Sequence, residues 1–111
     1  MQVVDLQEDK GFQGLDVELL SISPDSLADW REAGEDMGIR DFRGVLSDAE
    51  NRVATKYGVM RWSLGGEPGH TFVFIDESGE VVWLQDYGAL ENGSIMYVLP
   101  HEVVRQVREH L

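Results

Sequence analysis

The chain has 111 residues, with 9 Lys and Arg against 21 Asp and Glu, and no cysteine. The length fits one domain, and the formal charge of −12 argues against nucleic acid, whose phosphates require a basic face. Without cysteine there is no disulfide, no thiolate-bound zinc or iron–sulfur centre, and no Cys nucleophile within these residues.

An apolar content of 42% is enough to build a core, unlike that of a disordered acidic tail. The apolar runs, such as 72–75 (FVFI), fall far short of the roughly 20 residues a bilayer crossing requires. The opening MQVVDLQEDKG has neither the positive region nor the apolar stretch of a signal peptide. The expectation is a soluble cytoplasmic protein with no membrane or nucleic-acid partner.

Residues 1–14 read as a helix or a short strand, with helix favoured because Gly11 and Gly14 look like terminators. Residues 17–22 (VELLSI) are nearly all apolar and predict a buried parallel strand. Ser23-Pro24-Asp25 predicts a helix start, with Ser as cap and Pro in the first turn. Leu27, Trp30, Gly34 and Met37 then share one helical face, and Gly38 ends the helix. Val45-Leu46 is a second short strand. Ser47 and Glu50 have capping-box spacing, followed by an Ala49-Val53-Tyr57 stripe that stops at Gly58.

Residues 59–70 (VMRWSLGGEPGH) form a loop with three glycines and a proline. Residues 71–75 are the clearest strand, Asp76 to Gly79 a tight turn, and 81–84 the antiparallel return. After a loop over 86–99, Pro100 opens a last helix with Val103, Val104, Val107 and Leu111 on one side. Alternating βα units predict an α/β domain with a mixed sheet and helices on both faces.

Four segments recur in a telling order: Ser21 to Ser26 (SISPDS), Leu46-Ser47-Asp48, Val53-Ala54-x-x-Tyr57-Gly58-Val59, and Thr71 to Asp76 followed by Gly79. Over about residues 15–90 the chain resembles the peroxiredoxin-like redoxins of the alkyl hydroperoxide reductase and thiol-specific antioxidant family. The resemblance implies a thioredoxin-like fold and an antioxidant oxidoreductase activity. It also implies a strand and a cysteine-bearing helix start ahead of the residues seen here, so that 1–111 reads as the C-terminal part of one redoxin domain. The implied strand lies between those at 17–22 and 71–75. Its absence leaves two exposed inner edges and an uncovered apolar face.

By the same resemblance, the loop before the strand at Thr71 lies beside the reacting sulfur. Trp62, Glu67, Pro68, Gly69, His70 and Thr71 are the candidate site-loop residues. Where the family carries a cis-proline this chain has Gly69, with Pro68 one residue early, and the family's nearby arginine is missing. His70 is the best candidate to hold a proton or a hydrogen bond to substrate; the plainer reading is a solvated loop histidine. Trp62, Trp83 and Tyr87 suit either an apolar groove or local packing. His70 with Glu67 supplies too few ligands for a metal, and no cofactor is expected. The Ser, His and Asp content lacks a nucleophile elbow, and Gly65-Gly66 lacks the Lys of a phosphate loop.

Two functions follow. One is a peroxide-reducing or thiol–disulfide oxidoreductase whose cysteine lies upstream of Met1, served by a thiol-reductant protein. The other is a non-catalytic thioredoxin-like module that binds a partner or self-assembles into a homo-oligomer through unpaired sheet edges.

Overall fold

The computed structural model describes residues 1–111. Two short helices, α1 (Gln2–Glu8) and α2 (Lys10–Gln13), open the chain and break at Asp9, whose carboxylate accepts the Phe12 N–H at 2.9 Å. The helical reading of this segment therefore holds, with one correction. Gly11 lies inside α2, and Gly14 alone serves as a cap.

Strand β1 (Ser21–Ser23) pairs in parallel with β2 (Val45–Ser47), and α3 (Leu27–Asp36) connects them. The strand expected over 17–22 is shorter and later. A ladder needs a partner, and β2 begins only at Val45, opposite Ser21. The start of α3 also moves. Ser26, not Ser23, is the cap, its hydroxyl accepting the Asp29 N–H at 3.1 Å, while Ser23 bonds locally to Asp25. The other end is as read. Gly38 takes φ +98°, and the N–H groups of Gly38 and Ile39 reach back to the carbonyls of Glu35 and Gly34.

Helix α4 (Arg52–Lys56) follows a 3-10 turn over Ala49–Asn51. The expected capping box does not form. Asp48 takes its place, buried and accepting the N–H groups of Val53 and Ala54 at 2.9 Å each. Glu50 and Asn51 have positive φ, which rotates the helix so that Ala54 is buried while Val53 and Tyr57 are exposed.

Strands β3 (Thr71–Ile75) and β4 (Val81–Asp86) form an antiparallel hairpin. Its turn is organised by Asp76, whose carboxylate accepts the N–H groups of Ser78 and Glu80. Helix α5 (Pro100–Glu109) buries Val103, Val104 and Val107; Leu111, expected beside them, lies beyond the helix and is exposed.

The main core joins Leu6, Phe12, Val98 and the three α5 valines, with Phe72, Phe74 and Tyr87 packed against it. α1, α2 and α5 thus cover the Phe72–Phe74 face of the hairpin. Trp83, on that same face, stacks between Phe72 and His110 at centroid distances of 6.2 and 6.1 Å. The chain is mixed α/β, as expected, but the single mixed sheet is not formed. The strands make two separate two-stranded sheets, β1–β2 and β3–β4, because no strand bridges β1 and β3.

Candidate functional site

The loop leading into β3 starts from a 3-10 turn over Val59–Trp62. The Arg61 guanidinium lies 4.0 Å from the Trp62 ring centroid, which holds the indole half-buried at the loop's root. Leu64 and Glu67 exchange backbone hydrogen bonds at 2.8 and 3.2 Å around Gly65 and Gly66. Both glycines have positive φ, as a two-residue turn of this hand requires. Glu67 points into solvent at the turn. Every peptide bond is trans, Pro68 included. Gly69 runs close beneath the Trp62 carbonyl: a Cβ there would sit 2.9 Å from that oxygen.

Thr71 opens β3, and its hydroxyl donates to Asp86 at 2.7 Å. Asp86 is the residue that sequence reasoning missed. It closes β4, is 2% exposed, and also accepts from the Ala89 N–H and the Asn92 amide at 2.9 Å each. Burial alone raises a carboxyl's pKa. The hydrogen bonds from Asn92, Thr71 and the backbone at Ala89 and Gly88 outweigh it and hold Asp86 below the ordinary carboxylate range. A signal was present, since an acid at the end of an apolar strand, with Gly88 and Ala89 two and three residues on, resembles an Asx turn. The register that pairs it with Thr71 was needed to give that signal meaning.

His70 is drawn to the opposite side of the loop. Its Nε2 lies 2.8 Å from Gln2 Oε1. Gln2 also clasps the Val98 backbone, with Oε1 accepting its N–H at 2.7 Å and Nε2 donating to its carbonyl at 2.8 Å. Gln2 Oε1 is an acceptor in both bonds, so His70 must be the donor, with its proton on Nε2. Half-burial pulls the His70 pKa below its usual value, and the nearby Asp86 charge opposes this only in part. The ring packs edge-on against Phe72. His70 thereby ties α1 and the 95–99 segment to the start of β3, rather than standing free in solvent. Gln2 carries no local signal in the sequence, because its partners lie 68 and 96 residues away.

The candidate loop residues therefore divide. Gly69 and Thr71 lie against Asp86 at the end of β4, the Trp62 carbonyl lies over Gly69, Pro68 is half-buried, His70 faces the N-terminal helix, and Glu67 stands apart in solvent. Trp83 and Tyr87 belong to the core and line no groove.

A family model described as the AhpC/TSA family matches residues 2–84. The chain belongs to the AhpC/TSA family. Its fold is accordingly thioredoxin-like, and the match runs from α1 through most of β4, across the whole candidate loop. Comparison with curated proteins and with solved structures gives no match. In this family member the loop offers a hydroxyl already bonded to the Asp86 carboxylate and an imidazole already bonded to Gln2. It offers no sulfur to attack a peroxide or a disulfide.

Proposed function

We propose that this AhpC/TSA domain performs no thiol chemistry with its own residues and acts as a thioredoxin-like binding module. The absence of any cysteine in 111 residues carries this reading. The state of the loop supports it. His70 spends its Nε2 proton on Gln2, and the Thr71 hydroxyl is committed to Asp86, so neither is poised towards an incoming substrate. A cytoplasmic setting is part of the reading, since nothing in the chain depends on disulfides.

The peroxide-reducing or thiol–disulfide oxidoreductase role that the family resemblance implies is the second reading. It needs a thiolate from outside these residues, and a thiol-reductant partner to regenerate it. Binding by the module, to another protein or to a second copy in a homo-oligomer, is favoured by the two unjoined sheets, which leave strand edges without partners. The test is peroxide consumption by the purified protein with dithiothreitol. The rate should equal that of the protein-free control, and protein-dependent turnover overturns the reading.

A further inference from the structure

The free edge of β1 offers backbone groups in a defined pattern. Ser21 donates its N–H to the Gly44 carbonyl at 2.7 Å, and the Ser23 carbonyl accepts the Asp48 N–H at 2.7 Å, so both residues face β2. In an extended strand the intervening Ile22 turns its N–H and C=O the opposite way. No strand lies on that side. Beside this edge the side chains of Ile22 and Leu46, register partners on one face, are 40% and 38% exposed. Leu20, on the same face beside Gly44, is 52% exposed.

The molecule as a whole exposes more surface than a monomer of its mass should, by an amount of the order that a partner covers. The accessible surface is 7223 Å², against about 6,200 Å² expected for a monomer of this mass, an excess of about 1,000 Å². One side of a standard protein–protein interface is about 800 Å².

A second copy is a poor occupant. An antiparallel pairing of two β1 edges centred on Ile22 sets Leu20 opposite Pro24, which has no N–H to give. Each copy also brings a charge of −12. Around β1 the sign is one-sided: residues 16–36 carry seven carboxylates and one cation, Arg31, which lies over the Phe42 ring. We propose that β1 accepts an extended segment of another protein as an added strand, one alternating basic and apolar residues. Its apolar side chains lie beside Leu20 and Ile22, extending the apolar face that these share with Leu46, and its cations meet the acidic surround.

This rests on the binding-module reading, and its failure is separable from that of the reading, which falls on thiol-dependent turnover. The probes are synthetic heptapeptides alternating Lys with Val, a Glu–Val counterpart, and a Lys–Val peptide with a central Pro. Each is titrated by calorimetry, with amide hydrogen exchange in the presence of 15N-labelled protein. The Lys–Val peptide should bind, weaken about tenfold or more at high salt, and slow exchange at the Ile22 amide about tenfold or more. Ile22→Pro removes a donor that β2 does not use, so the fold should persist by circular dichroism while binding is lost. Absence of binding, binding without protection at Ile22, or equal binding of the Pro-containing peptide each overturns the proposal.

Discussion

Asp86, at the end of β4, has the largest role of any single side chain around the candidate loop. It is buried with three side-chain and backbone donors directed at it. Asp86→Ala leaves those donors unpaired and should lower stability by about 2–4 kcal/mol, whereas Thr71→Val, which removes one bond, should cost about 1–2 kcal/mol. Urea unfolding measures both. His70 predicts a pH dependence of definite sign. Its folded pKa lies below the unfolded value of about 6.5, so between the two the unfolded chain holds more protons. The stabilising contribution of neutral His70 is complete above about pH 6.5 and is lost as pH falls towards the folded value. His70→Gln should flatten that part of the stability profile. An unchanged slope would show that His70 is not the titrating group. Asp86, with its depressed pKa, adds a separate loss at lower pH, as acid reaches its folded value. His70 was legible in the sequence as a residue of interest because it sits beside the Gly-Pro turn. Its actual role was not legible, because Gln2 and Val98 meet it only through the fold.

Among the elements, those specified by local chemistry were read most closely. Strand β3 matches its expected bounds, the Asp76 turn forms as its residues dictate, and Gly38 ends α3. Gly38→Ala forces an L-residue to φ +98° and should cost about 1–2 kcal/mol. Elements whose form depends on distant partners were misjudged. The run at 17–22 has a strand's composition, but its first half meets no neighbouring strand to complete a ladder. The cap of α4 fell to Asp48 instead of Ser47 because two residues of left-handed backbone intervene, a conformation that Glu50 and Asn51 do not announce. The N-terminal helices, ambiguous in sequence, are fixed by burial. Leu6 is 1% exposed against the α5 valines, and Leu6→Ala should destabilise the chain by about 2–5 kcal/mol in the same urea experiment.

For the whole molecule, the chain keeps the scaffold of its family while offering no thiol. The core on the β3–β4 hairpin is well closed by α1, α2 and α5, whereas the β1–β2 side leaves Leu20, Ile22, Leu46, Val53 and Tyr57 in contact with solvent. Two-stranded sheets are marginal by themselves, so the inner strands are where a binding partner would contribute most. The most direct measurement is amide hydrogen exchange of the free protein along β1 and β3. Ser21 and Ser23 face β2, and the bond from the Tyr87 N–H to the His70 carbonyl sets Phe72 and Phe74 facing β4, with Val73 turned away. The account predicts slow exchange at Ser23, Phe72 and Phe74 and fast exchange at Ile22 and Val73. Uniform protection along either strand would mean that its edge is already covered, and would contradict the account.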